Sequence, residues 1–256
     1  AKALARDGAQ VVIMGRQEEA LQHAMAEILQ EFPQARIGIF CGDAGDELQV
    51  KEALAFAHGL NGSLDILVPV VGGPTFRPLL MRELDDVRQE MDVNFFTAFM
   101  LVRHGVPLLT RGGSIVCISS ICTTQPGWGM TIYTAAKAAL EGFVRVAALE
   151  LGPAGVRINA VRPGATLAEV DASKPDAALM LKAYVAETPL GRHGMPDDIA
   201  RAVRFLAGPE AGWVTGQIFS VDGGLELGKA PDFMDALFGS DVMDRVRKGI
   251  PVSVER

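Results

Sequence analysis

Tyr133 and Lys137 stand four residues apart at the start of a predicted helix over 133–151. That spacing puts both side chains on one face, one turn apart. An ammonium in that position favours the phenolate and lowers a tyrosine pKa from about 10. Tyr133 would then serve as a general acid or base near neutral pH. The same pair also occurs as an ordinary surface contact, so its surroundings matter. Ser119 and Ser120 close an apolar run shortly before Tyr133, and a hydroxyl there could donate to a substrate carbonyl oxygen. Asn94 lies in Asp92-Val93-Asn94-Phe95-Phe96, inside an apolar helical stretch. Asparagine is a poor helix-interior residue. Its amide or backbone carbonyl either holds a water or a lysine, or is a satisfied buried amide.

The elements that must carry these residues alternate along the chain. Short apolar runs at 11–14, 37–41, 66–71, 114–118, 157–161 and 217–221 read as strands. Helical spacing predicts helices over 17–31, 46–58, 83–110, 133–151 and 197–207. Residues 1–7 read as the end of a further helix, stopped by Gly8. Near-continuously apolar strands alternating with helices argue for a parallel sheet covered on both faces. The predicted fold class is α/β: a doubly wound (Rossmann-like), mostly parallel sheet in a single domain. Such sheets bind ligands beyond the carboxyl ends of their strands. There lie Gly15-Arg16, Gly42-Asp43, Gly72-Gly73, Ser119-Ser120 and Arg162-Pro163-Gly164.

Composition removes several alternatives. The chain has 256 residues and a formal net charge of −7, with no basic run to hold nucleic acid or an anionic membrane surface. No apolar run reaches transmembrane length. Three scattered cysteines, Cys41, Cys117 and Cys122, make neither a disulfide framework nor a zinc pair, and a reducing cytoplasm fits them. The four histidines show no HExxH spacing, so no metal is expected, and no GxSxG surrounds Ser120.

Taken in order, Asp43, Asn94, Ser120, Tyr133-xxx-Lys137, Pro163-Gly164 and Val214-Thr215-Gly216-Gln217 leading to Val221-Asp222-Gly223-Gly224 resemble the short-chain dehydrogenase/reductase family over residues 1–224. The resemblance implies a nicotinamide-dependent oxidoreductase acting on a carbonyl/alcohol pair. It implies that Tyr133 exchanges the proton with the reacting oxygen and that Ser120 holds that oxygen. Lys137 would lower the tyrosine pKa and bind the nicotinamide ribose, and Asn94 would position a water linking Lys137 to solvent. Asp43 would accept from the adenine amino group, and Gly72 and Pro163-Gly164 would let the backbone approach the cofactor. At the end of the strand containing Met14, the family's acidic NAD-binding position is Gly15, followed by Arg16. A guanidinium matches a phosphate fork, so NADP(H) is the expected cofactor, with NAD(H) possible. An exposed Arg16 with no ligand role is the plainer reading.

Four departures qualify the match. The family's first strand and glycine-rich phosphate loop would precede Ala1, and the expectation is that these upstream residues are missing from the sequence. Pro69-Val70-Val71-Gly72 stands where the family carries NNAG, and Ala168 where it carries a threonine, which Thr166 or the backbone would replace. A C-terminal extension, 225–256, presents Phe233, Leu237, Phe238, Val242, Met243 and Val246 at helical spacing. It would pack within the subunit, touch a neighbouring subunit or lid the substrate. Leu167, Val170, Leu179, Met180, Leu181 and Tyr184 would cover an apolar substrate, such as a 3-oxoacyl thioester, steroid or medium-sized ketone. A non-catalytic dinucleotide sensor or scaffold is the competing reading. The resemblance further implies a homotetramer, with a homodimer open.

Overall fold

The computed structural model describes residues 1–167, 175–228 and 232–252. In chain order the elements are α1 (Lys2–Arg6), β1 (Gln10–Gly15), α2 (Glu18–Glu31), β2 (Arg36–Cys41), α3 (Glu47–Asn61) and β3 (Leu64–Leu67). Then come α4 (Leu84–Met91), α5 (Thr97–Gly105), β4 (Leu109–Ile118), α6 (Thr131–Leu151) and β5 (Arg157–Pro163). The described remainder contains α7 (Pro175–Glu187), α8 (Pro196–Ala207), β6 (Ile218–Val221), α9 (Met234–Phe238) and α10 (Ser240–Arg247).

Every strand pairing is parallel, and helices cover both faces, as the apolar runs require. β4 and β5 are the centre: Ile115, Val116, Ile158, Ala160 and Val161 are fully buried. Alternation splits their side chains. Ile115, Cys117, Ile158 and Ala160 face Val50, Leu54, Val102, Leu140 and Val144 of α3, α5 and α6. Val116 and Val161 face Ile199, Val203 and Leu206 of α8. Asn159, also fully buried, donates to Val214 O and accepts from Gln217 N, which ties the turn before β6 to β5.

The hydrogen-bonded sheet is in two parts, β1–β2 and β3–β4–β5–β6. One edge of β1 and one of β3 therefore has no ladder partner among the described residues. β1 is only half-buried throughout, so the expectation of strands buried on both faces holds for β4 and β5 and not for β1 and β2.

Two element boundaries also differ from the sequence reading. The strand expected over 66–71 stops at Leu67. Pro69 offers no N–H to a ladder, and the chain leaves the sheet before it. The single helix expected over 83–110 is broken by a π-helical turn at Asp92–Phe96 and ends at Gly105, and β4 begins at Leu109. The break falls on Asn94. The poor helix former therefore sits in a wide turn, a geometry often found at functional sites.

Candidate active site

The carboxyl ends of β3, β4 and β5 and the first turns of α6 meet at one place. Tyr133 is buried on α6, and the Ser120 hydroxyl at the end of β4 stands beside its phenol, close enough to favour its ionised form. Successive residues of an extended strand point oppositely, and this separates the two serines. Ser119 Oγ donates to Glu141 Oε1 at 2.7 Å, facing away from Tyr133. Of the pair, Ser120 is the one that meets the phenol.

Lys137 is buried one turn below, with Nζ 5.7 Å from the Tyr133 ring centroid. Nζ donates to Ile118 O at 2.9 Å. The i, i+4 spacing thus brings the ammonium over the ring, where it makes no hydrogen bond to the phenol hydroxyl. The expectation that Lys137 acidifies Tyr133 is corrected accordingly. Burial pushes the phenol up to about 12, the neighbouring Ser120 hydroxyl opposes this, and nearby Cys122, Glu90 and Tyr184 add to it. Burial brings the Lys137 ammonium down to about 8. At neutral pH this Tyr133 is a protonated, acid-form phenol.

Asn94 acts on the loop after β3. Its Oδ1 accepts from Gly73 N at 2.8 Å, and its Nδ2 donates to Gly73 O at 3.1 Å and Glu90 O at 3.0 Å. The side chain clamps the N–H and C=O of one residue, Gly73, and makes no direct bond to Lys137. Gly72, at φ +149°, lies between them: a Cβ there would sit 2.6 Å from Asn94 Oδ1 and 3.0 Å from Lys137 Nζ. Gly72→Ala is expected to displace both groups and lower kcat/KM by roughly 100-fold, because ångström misplacements cost that much. Steady-state kinetics with circular dichroism to verify folding would check it.

At the other end of the strand edge, parallel register sets Gly15 against Cys41, and Gly42 N donates to Gly15 O at 2.8 Å. Arg16 and Asp43 thereby become neighbours, both exposed. Asp43 Oδ1 accepts from Gly45 N at 2.8 Å, which fixes the carboxylate in a local turn. Gly164 admits no side chain, since a Cβ would lie 2.8 Å from Asp222 Cα. Thr166 Oγ1 donates back to Gly164 O at 3.1 Å, so Pro163, Gly164 and Thr166 form one tight corner. Ala168 and Val170 lie outside the described residues.

Two buried ion pairs escaped the sequence reading. Glu141 accepts from Ser119, from Thr123 Oγ1 at 2.8 Å, and from Arg162 Nε and Nη2 at 2.7 and 2.6 Å. One carboxylate so ties the ends of β4 and β5 to the helix bearing Tyr133. Its signal was present: 133, 137 and 141 share a face, and Arg162 is a charge within an apolar strand. In the second pair, Arg82 Nη1 lies 2.8 Å from Glu90 Oε2, both side chains buried. Arg82 also donates to the carbonyls of Thr75, Arg77 and Gly129. It fastens the loop after β3 to the loop leading into α6.

Beside this site a cavity of about 410 Å³ is lined by Leu79, Leu80, Trp128, Thr131 and Val246, among others. It abuts α6 at Thr131. Among the described residues no cluster of His, Cys, Asp and Glu could hold a metal, and no helix is long and apolar enough to cross a membrane.

Comparison with known proteins agrees with this geometry. A family model described as enoyl-(acyl carrier protein) reductase matches residues 1–226. Carbonyl reductase family member 4 of Danio rerio is 34% identical over 227 residues, covering 88% of this chain and 91% of its own. A solved short-chain type dehydrogenase/reductase from Mycobacterium ulcerans superimposes with a TM-score of 0.88 at 30% identity, covering 95% of this chain and 91% of that one. A 7α-hydroxysteroid dehydrogenase, solved with NADH and 7-oxo glycochenodeoxycholic acid, superimposes with a TM-score of 0.81 at 32% identity, covering 90% and 88%. With a family match across most of its length and relatives above 30% identity, the chain belongs to the short-chain dehydrogenase/reductase family of alcohol/carbonyl oxidoreductases.

Proposed function

We propose that this chain reduces an apolar ketone to a secondary alcohol with NADPH. The observation that carries the reading is the buried Tyr133 phenol, protonated at neutral pH, with the Ser120 hydroxyl beside it. A carbonyl oxygen set between them receives a hydrogen bond from Ser120 and the proton from Tyr133 as negative charge develops.

The residues present fit a nicotinamide dinucleotide. Gly72 packs its backbone against Asn94 and Lys137, and Gly164 packs against Asp222, too closely for any Cβ, which sets the Lys137 ammonium and both backbones at the carboxyl ends of the strands. Lys137, Gly72, Pro163, Gly164 and Thr166 would hold the nicotinamide end, and Tyr133 would meet its ribose. Arg16 and Asp43 would hold the adenosine end. When bound, the cofactor supplies the hydride. Arg16 makes no ion pair among the described residues, which supports a role for its guanidinium on the 2′-phosphate of NADP(H).

Phe76 packs against Tyr133, and Met180 and Tyr184 of α7 pack against Phe233. This lining supports an apolar substrate, a steroid, 3-oxoacyl thioester or related ketone. Exposed Phe96 and Phe99 and, on α6, Val146 and Leu149 form an apolar face that supports a homotetramer or homodimer.

The test is nucleotide oxidation by the wild-type chain with a panel of ketones, run with NADPH and NADH. Turnover with NADPH is the expected result; binding of nucleotide without turnover of any ketone favours a sensor. Arg16→Glu is expected to lower the ratio of kcat/KM for NADPH over NADH about tenfold or more, through loss of a charge-assisted bond. An unchanged ratio refutes the assignment of Arg16.

A further inference from the structure

The family match ends at residue 226, yet residues 232–252 are built into the catalytic side of the molecule. Phe233, Met234, Met243 and Val246 are buried in a cluster with Met81. The Phe233 ring meets Phe76 nearly edge-on, centroids 5.4 Å apart at 73°, and Tyr184 at 5.8 Å and 61°. Phe76 also packs on Cys122, Met130 and Tyr133. One aromatic ring thus joins the C-terminal segment to the residues around the catalytic phenol. Met234 is fully buried, and a Cβ on Gly129 would touch its sulfur at 3.0 Å, so α9 rests on the loop leading into α6.

The segment is held from outside by charges that pair with one another. Arg247 donates to both carboxylate oxygens of Asp235, at 2.8 and 3.0 Å. Its guanidinium lies 6.0 Å from the Trp128 ring centroid. The charged clamp faces solvent, and the inward face offers rings and thioethers.

We infer that residues 232–252 form a specificity element of this enzyme, in which Phe233 sets Phe76 and Tyr184 as a wall for ring-bearing apolar ketones. The inference deepens the ketone-reductase reading and rests on it. Phe233 acts through its two aromatic neighbours and is a positioning residue. Flat ring edges favour an alicyclic substrate that fills the wall, while a short acyclic ketone reaches Ser120 and Tyr133 without leaning on it.

The experiment uses the full chain with Trp213, fully exposed, replaced by Phe, so that Trp128 reports alone. Binding of trans-1-decalone with saturating NADP⁺ is followed by fluorescence, and kcat and KM are measured for decalone and ethyl acetoacetate. Phe233→Ala is expected to weaken decalone binding and raise its KM about tenfold, as loss of buried apolar contact does, with NADP⁺ affinity kept. kcat/KM for ethyl acetoacetate should stay within about twofold. Phe233→Leu, which spares volume, should give the same direction with a smaller change, and Phe233→Tyr should restore decalone binding. No decalone binding by the Trp213→Phe parent, an unchanged decalone Kd in both the Ala and Leu variants, or equal losses for both ketones overturns the inference. Decalone binding that weakens in Phe233→Ala without any ketone turnover by the parent leaves the wall in place and refutes the reductase reading.

Discussion

Replacing Tyr133 by Phe is expected to lower ketone reduction by roughly 1,000-fold, far more than it weakens nucleotide binding, since general acid catalysis contributes on that order. In the proposed reaction the Tyr133 phenol, which stands beside Ser120, supplies the proton to an oxygen held there. The pH profile follows from the two shifts at the site. Tyr133, pushed up to about 12 by burial, stays protonated across the working range, so reduction does not lose its acid there. Lys137, brought down to about 8 by burial, loses its charge first as pH rises. Reduction should be level at neutral pH and fall above about 8, with that limb belonging to the ammonium. Alcohol oxidation needs the phenolate and should rise with pH instead. Rate profiles in both directions check this: the falling limb of reduction should persist in the residual activity of Tyr133→Phe, and a limb that vanishes with the phenol would reject its assignment to the ammonium.

Arg162→Met is expected to be the most destabilising of the changes considered, at about 3–5 kcal/mol, because it leaves Glu141 buried without its partner. The melting temperature should fall by roughly 10 °C. In the native protein burial raises the Glu141 carboxyl, but the bonds from Arg162, Ser119 and Thr123 prevail and hold it below its ordinary 4.5. A depressed carboxyl contributes stability above its unfolded value and loses it as pH falls through the folded one. Without Arg162 the burial effect dominates, the carboxyl is raised, and the sign reverses. The deficit of Arg162→Met should therefore narrow on acidification, and the double change Glu141→Leu with Arg162→Met should recover most of it. Thermal unfolding at several pH values reads both. A deficit independent of pH would mean that packing around Arg162, and not the charge on Glu141, sets the cost.

The two replacements act on different links of one chain of cause. In the proposed reaction Tyr133 does chemistry on the reacting oxygen, while Glu141 and Arg162 keep the strand ends that carry Ser120 and Gly164 against the helix that carries Tyr133.

Much of this was legible beforehand because it depends on local spacing. Apolar runs alternating with helical periods are enough for a parallel sheet between two helical layers. Tyr133 and Lys137 must share a face of any helix that contains both, and parallel register was bound to line Arg16, Asp43, Gly72, Ser120 and Gly164 along one edge. The end of β3 is local too, since Pro69 carries no ladder donor, although the apolar run through Val71 masked it.

What spacing leaves open is direction and environment. Only the folded chain decided that Ser120 and not Ser119 meets the phenol, that Asn94 clamps Gly73, and that burial outweighs Lys137 in setting the Tyr133 proton. Each depends on where a side chain points and how much water surrounds it, and both are set by residues distant in sequence. The Glu141–Arg162 pair and the seating of Phe233 against Phe76 and Tyr184 belong to the same class: segments far apart in the chain meet there, and periodicity along one segment carries no information about its partner.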